Sequence, residues 1–295
     1  MYQQTIKKRV EFTGIGLHSG EPIRVILEPL GVDNGIVFVH ANSGIELKLN
    51  PKNISETKLA TVIGKRPNSI STIEHFLSAI YAYSIDNLRV IVYGNEMPVM
   101  DGSAISFCML FDEAGVIKQN RFKKIMVIKK EIKVQMDNKY AILRPSKKPR
   151  FKFKIDFNHP IIGRQEYIYN FSKKSYIEDI ARARTFGFAR DIQYLQSINL
   201  ALGASLENAV GLDDNSVLNP EGLRYENEFV RHKILDAMGD LMLLGHQVLG
   251  EYEAFAASHE LNNLLTRKVL ESSDAYEIVK FKEFESSKEL VKVFA

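Results

Sequence analysis

A single cysteine, Cys108, is the whole thiol content of this 295-residue chain. It excludes an intramolecular disulfide and any cysteine-based zinc ribbon. No apolar run approaches the ~18 to 20 residues that span a bilayer. Residues 1–9 are basic, but no apolar h-region follows them, so a signal peptide is not expected and the cytoplasm is the expected location. Nine prolines and 18 glycines without a low-complexity tract exclude a fibrous or largely disordered protein. An excess of one charge is also missing, since 39 Lys and Arg face 36 Asp and Glu for a net +3. What remains is an ordinary globular composition, 45% hydrophobic and 25% charged. The length suggests about two domains of roughly 150 residues. Such a chain buries enough core to fold without disulfide or metal staples.

The charge is unevenly spread. Residues 121–154 hold thirteen Lys and Arg against Glu131 and Asp137, a local +11 that leaves −8 for the rest. Such a block attracts phosphates, of nucleic acid or of a nucleotide, or it is simply a solvated strand face.

Two halves are expected, residues 1–120 and 121–295. In the first, residues 24–27 and 35–39 are β-rich runs broken by turn residues such as Asp33-Asn34-Gly35. Ser71-Thr72-Ile73-Glu74 has the Ser-x-x-Glu capping-box pattern, with Ile73, Phe76, Leu77 and Ile80 as a helical apolar stripe. A strand over 87–93 and a helix ending near Gly115 follow. In the second half, strands are expected at 125–134, 140–143, 151–157, 166–170 and 252–256. Between residues 172 and 219 the pattern reads as one helix with irregular apolar stretches. The longest helix is expected over 226–248 and the last over 259–271. The repeated order of strands, helix, strand, helix suggests a structural duplication and an α+β fold.

The 226–248 helix is apolar over most of its circumference, yet His232, Asp236 and Asp240 fall at i, i+4 and i+8 on one stripe. Burying carboxylates costs several kcal/mol (~) unless a cation or donors compensate. A His and an Asp one turn apart suit metal chelation, or a buried structural pair. A catalytic zinc typically uses three protein ligands plus water. The dipeptide Glu74-His75 offers the third ligand and an adjacent general base, or merely a surface acid beside a packed ring. His259 follows a strand and suits a general acid oriented by Asp240, or a capping histidine. Asn263 stands where a His-Glu-x-x-His peptidase motif needs its second His, which weakens a peptidase reading. Thr185-Phe186-Gly187 reads as an oxyanion donor beside a sugar-stacking ring, or as a turn. The apolar segment 199–210 reads as core or as a passage for an acyl chain.

Longer motifs set these pieces in order. They are Thr13-Gly14-Ile15-Gly16-Leu17-His18-Ser19-Gly20, Ser71-Thr72-Ile73-Glu74-His75, Met100-Asp101-Gly102-Ser103-Ala104 and Asp156-Phe157-Asn158-His159-Pro160. Ala183-Arg184-Thr185-Phe186-Gly187-Phe188, Gly222-Leu223-Arg224-Tyr225-Glu226, Glu228-Phe229-Val230-Arg231-His232-Lys233-Ile234-Leu235-Asp236 and Ser258-His259-Glu260-Leu261-Asn262-Asn263 complete the set. Across essentially the whole chain this series resembles the UDP-3-O-acyl-N-acetylglucosamine deacetylases, zinc enzymes of lipid A synthesis. The resemblance implies two similar α+β domains, each a sheet layered with helices and carrying an insert, with the active site between them. It implies an apolar acyl-passage insert around 185–215 and a UDP-linked acylated glucosamine as substrate. It further implies Zn²⁺ held by His75, His232 and Asp236, with Glu74 as base and His259, supported by Asp240, as acid. Thr185 and Lys233 would stabilise the oxyanion, and Phe186 would pack near the glucosamine ring. A His₂Asp site also accommodates Fe²⁺.

Ala60 stands where some members of that family carry cysteine near the site, which removes a thiol but no assigned catalytic group. No nucleic-acid partner and no membrane span are expected, and a monomer is. The rival readings are a nucleic-acid module on residues 121–154, a zinc amidohydrolase of another substrate class, and an inactive scaffold. Modest net charge and the absence of an RNP-like aromatic motif stand against the first.

Overall fold

The computed structural model describes residues 1–281 together with Phe294, so residues 282–293 and 295 of the expected second domain lie outside the described residues. The strands follow from alternation of apolar and polar side chains. Arg150–Asp156 shows it most clearly, with Phe151, Phe153 and Ile155 buried and Arg150, Lys152 and Lys154 turned outward. Each buried side chain of that size contributes about 1.5 to 3 kcal/mol when taken from water.

The first half carries a five-stranded sheet in the spatial order Val10–Ile15, Pro22–Pro29, Leu88–Tyr93, Ile36–His40, Ile45–Lys48. The second carries Ile132–Met136, Lys139–Arg144, Glu251–Phe255, Arg150–Asp156, Arg164–Asn170. In both, neighbours run antiparallel, antiparallel, parallel, antiparallel across the sheet. In both, the central strand is the last of the five in the chain. The two sheets therefore share one topology although their sequences barely match.

Six α-helices lie among the described residues: α1 Glu74–Ala82, α2 Ile105–Ala114, α3 Lys173–Asp179, α4 Ala189–Ser197, α5 Glu228–Leu241 and α6 His259–Glu271. In each half the last α-helix before the central strand is α1 or α5, and the next after it is α2 or α6. Helices α1 and α5 are thus equivalent, and they pack directly on each other with nearly every residue buried. Gly239 permits the close crossing, since a Cβ there would lie 2.0 Å from the Glu74 carbonyl oxygen. No helix among the described residues is long and apolar enough to cross a membrane.

Several local expectations are corrected. The capping box at residue 71 does not form. Thr72 takes a left-handed backbone, Ile73 is the N-cap without a side-chain bond, and the Ser71 hydroxyl donates to the Asn95 carbonyl at 3.3 Å. The physical reason lies in Glu74, which is buried and turned away from its own helix terminus. Residues 125–134 form two strands in different sheets, Lys124–Ile128 and Ile132–Met136, because the polar run Lys129-Lys130-Glu131 interrupts the apolar pattern. The long helix stops at Leu241, passes into one 3-10 turn and ends at Gly245, whose φ of 76° lies in the left-handed region. Residues 172–219 hold two helices, α3 and α4, where one was expected. Strands Phe186–Phe188 and Val210–Leu212 pair in parallel around α4 as a small β-α-β insert. Core packing describes only part of residues 199–210: Ala201 and Val210 are buried, whereas Leu202 and Leu206 are exposed.

Candidate active site

The crossing of α1 and α5 brings together most of the residues singled out from the sequence. Glu74 and His75 open α1, while His232, Asp236 and Asp240 form one buried stripe along α5. Asp236 Oδ1 lies 3.5 Å from His75 Nε2 and 3.3 Å from His232 Nε2, and one ligand atom from each residue falls within 4.8 Å of the others. The two imidazoles meet edge to face, with centroids 4.9 Å apart.

Proton positions follow from the partners. His232 Nδ1 lies 3.0 Å from the Ala183 carbonyl, which can only accept, so Nδ1 carries the hydrogen and Nε2 presents a lone pair. Burial, against the pull of Asp236, holds the His232 ring down to about 3, so it is neutral near pH 7. Burial opposes ionisation of Asp236, yet the ammonium of Lys233 holds its carboxyl well below the usual range. Lys233 Nζ donates to Asp236 Oδ2 at 2.9 Å, which leaves Oδ1 buried without a hydrogen-bond partner among the described residues. A buried ionised oxygen facing the His232 lone pair is unfavourable unless a cation lies between them. Ligands ~2.0 to 2.1 Å from a tetrahedral zinc ion stand about 3.3 to 3.4 Å apart, which matches the two distances found. The donor set fits a divalent metal.

Beside it His259 lies between two buried carboxylates. His259, at the start of α6, donates from Nδ1 to Asp240 Oδ2 at 2.9 Å and places Nε2 3.7 Å from Glu74 Oε1. Burial pulls the His259 ring down, but the carboxylates of Asp240 and Glu74 push it up to about 10, so it carries a proton near neutrality. Burial raises the Glu74 carboxyl, partly offset by His259 and His75. Asp240 is fully buried and accepts from His259, from Asn262 Nδ2 at 2.8 Å and from the Thr61 hydroxyl at 2.6 Å. Tyr252 in turn donates to Asn262 at 2.6 Å.

Thr185 and Phe186 leave Ala183 for the insert. Arg184 anchors that departure: it is buried, and bonds Glu228 at the start of α5, Glu221 and the Gly222 carbonyl. The Phe186 ring lies 6.4 Å from His232 and 5.0 Å from Phe229, with Lys233 Nζ 5.7 Å above it. The insert docks on the first half through motifs whose use the sequence left open. Leu202 N donates to His18 O at 3.1 Å, Thr185 N to Gly102 O at 2.8 Å, and Arg224 to Asp101 at 2.7 Å. A cavity of about 460 Å³ beside the site is lined by Leu59, Ala60 and Val62 on one side and Asn199 and Leu200 on the other.

The basic block has a different place. Nine of its thirteen cations, Arg121, Lys123, Lys124, Lys129, Lys130, Arg144, Arg150, Lys152 and Lys154, take carboxylate partners. It is an ion-paired strand surface, with far less free charge than its composition suggests. Thr61, Tyr252 and Gly239 were not singled out from the sequence, because none belongs to a local pattern that carries chemistry, and Asn262 appeared in a quoted motif without a role.

The Gly239 crossing gives a direct test. Gly239→Ala drives a methyl into the α1 backbone, so a stability loss of ~1 to 3 kcal/mol or more is expected. Bound metal per chain should fall as well, with every ligand still present. Thermal melting and elemental analysis check both; full metal content in this variant would refute the link between helix approach and ligand geometry.

A family model described as UDP-3-O-acyl N-acetylglycosamine deacetylase matches residues 3–271. Curated proteins named UDP-3-O-acyl-N-acetylglucosamine deacetylase align over nearly the whole chain. That of Sulfurovum sp. (strain NBC37-1) is 58% identical over 286 residues, covering 97% of both chains. That of Campylobacter fetus subsp. fetus (strain 82-40) is 56% identical over 295 residues, covering 100% of both. That of Campylobacter jejuni (strain RM1221) is likewise 56% identical with 100% of both covered.

Proposed function

Since the chain belongs to the UDP-3-O-acyl-N-acetylglucosamine deacetylase family, we propose that it hydrolyses the acetamide of a UDP-3-O-(3-hydroxyacyl)-N-acetylglucosamine. Acetate and the free amine are the products, in an early step of lipid A biosynthesis. The observation that carries the reading is the buried His75–His232–Asp236 set with Glu74 and His259 facing each other beside it. His75, His232 and Asp236 would hold Zn²⁺, which when bound polarises the amide carbonyl and acidifies a water. Glu74, ionised and desolvated, takes up the proton of the attacking water. His259, kept protonated by Asp240, delivers a proton to the leaving nitrogen. The hydroxyl of Thr185 and the ammonium of Lys233 donate toward the oxygen that gains charge. Phe186 offers an apolar face to the sugar ring, and the exposed Leu202 and Leu206 of the insert suit the acyl chain. We also propose that the halves divide close to residue 120. The strand Val116–Phe122 pairs with Tyr2–Ile6, whereas Lys124–Ile128 pairs with Gln247–Leu249 and Tyr276–Lys280.

The test is acetate release by the purified protein from the acylated UDP-sugar and from UDP-N-acetylglucosamine. Release from the acylated substrate, with kcat/KM at least ~10²-fold lower for the other, is expected from loss of the apolar contacts. Equal rates on both would make it an amidohydrolase of a different substrate class.

A further inference from the structure

We infer that Thr61 is a positioning residue that holds the base and the acid arm of the site in register, an assignment that rests on the deacetylase reading above. Thr61 is 1% exposed and lies at the base of the hairpin formed by Ile54–Glu56 and Val62–Ile63, in the first half of the chain. Its backbone amide donates to Glu74 Oε2 at 3.0 Å, and its hydroxyl donates to Asp240 Oδ1 at 2.6 Å. Glu74 opens α1 and Asp240 lies in the last turn of α5, so the two carboxylates sit on separate helices. Among the described residues Thr61 alone hydrogen-bonds both.

The contacts close a ring. Glu74 gives Oε2 to Thr61 and turns Oε1 toward His259, while Asp240 gives Oδ1 to Thr61 and Oδ2 to His259. A carboxylate is planar, so fixing one oxygen fixes the direction in which the other faces. Thr61 therefore sets the direction in which both carboxylates face His259. Among the described residues the hydroxyl is the only donor to Asp240 Oδ1, because Asn262 and His259 both use Oδ2. Without it Asp240 keeps a buried, unmatched oxygen and loses one of the three bonds that orient its carboxylate plane. The hairpin itself is fixed to α6, the helix that begins with His259, through Arg267 Nη2 to the Ile54 carbonyl at 3.2 Å. Thr61 touches none of the three metal-ligating side chains.

The test compares wild-type holoenzyme with Thr61→Val and Thr61→Ser by kcat, KM, metal per chain and melting temperature. Thr61→Val is expected to lower kcat by about 10- to 100-fold, as loss of an orienting partner does, with KM and metal content unchanged. Thr61→Ser keeps both donors and is expected to stay within about threefold of wild type, a difference too small to reflect a lost transition-state contact. If valine is not accommodated, Thr61→Ala against Thr61→Ser isolates the oxygen atom by the same readouts. Wild-type kcat in the hydroxyl-free variant, a serine variant as slow as it, a rise in KM in place of the fall in kcat, or loss of metal each overturns the assignment alone. Wild-type protein that releases no acetate overturns the deacetylase reading and this inference together.

Discussion

Protein stripped of metal by a chelator is expected to release no measurable acetate, and one equivalent of Zn²⁺ per chain is expected to restore it. Without a metal, the site sets the ionised Asp236 Oδ1 against two imidazole nitrogens within 4.8 Å, in a buried space where Lys233, bonded to the other carboxylate oxygen, is its counter-charge. The protonation pattern is already that of bound ligands. The Ala183 carbonyl fixes the His232 tautomer, burial keeps that ring neutral, and Lys233 keeps Asp236 ionised. Metal binding therefore needs no proton to be expelled from these two groups, and it relieves a repulsion built into the fold. Stability should follow the metal, since a ligand at 100 times its Kd adds about 2.7 kcal/mol to the folded state. The stripped protein should melt lower, and Asp236→Asn should lose both the metal and the stabilisation that accompanies it. Full turnover in metal-free protein would remove the His75–His232–Asp236 assignment. Restoration by Fe²⁺ at equal stoichiometry would instead settle which ion the same ligands prefer.

The part of this site that could be read from the sequence is the part written along one helix. His232, Asp236 and Asp240 recur every four residues in an otherwise apolar segment, and that conflict between burial and charge needs no structure to be noticed. Glu74 and His75 were readable as a dipeptide, and the family motifs gave it weight that two residues alone lack. Thr61 had no such signal. Its partner Asp240 is 179 positions away, and its bond depends on where a hairpin of one half meets a helix of the other. Gly239 carried no signal either; only the approach of α1 shows why a side chain cannot stand there. The repeated sheet order was suggested by the succession of elements. The ends of the helices were less legible, because Glu74 gives its carboxylate to Thr61 and not to its own terminus, which leaves the Ser71 pattern without a function. The basic block is the strand face that one of its two readings gave, but its pairing was not legible. Composition counts its charges, but the glutamates that pair with many of them, Glu251 and Glu253 among these, come from a strand about a hundred residues later.

Glu74→Gln is expected to reduce acetate release by about 10²- to 10⁴-fold, the usual contribution of a positioned general base, while leaving metal content at the wild-type value. The substitution keeps the shape of the side chain, and the amide oxygen still accepts from Thr61 N, so the hairpin and α1 need not move. What is lost is the capacity to accept a proton at the oxygen facing His259, 3.7 Å away. The pH dependence separates this role from a structural one. Burial raises the Glu74 carboxyl above its ordinary value, so the ionised base disappears as pH falls through a limb above the usual glutamate range. His259, held up by Asp240 and Glu74 against burial, loses its proton only above the ordinary histidine range. Wild-type kcat/KM should therefore be bell-shaped, rising with pH as Glu74 ionises and falling as His259 deprotonates. The glutamine variant should lack the rising limb, because its side chain does not titrate. It should also lower the falling limb, because removing the Glu74 charge takes away one of the two carboxylates that hold the His259 proton. A variant within tenfold of wild type, or one that keeps the rising limb unchanged, would assign the base to another group. Metal lost together with activity would make Glu74 part of the metal's support and no longer its own proton acceptor.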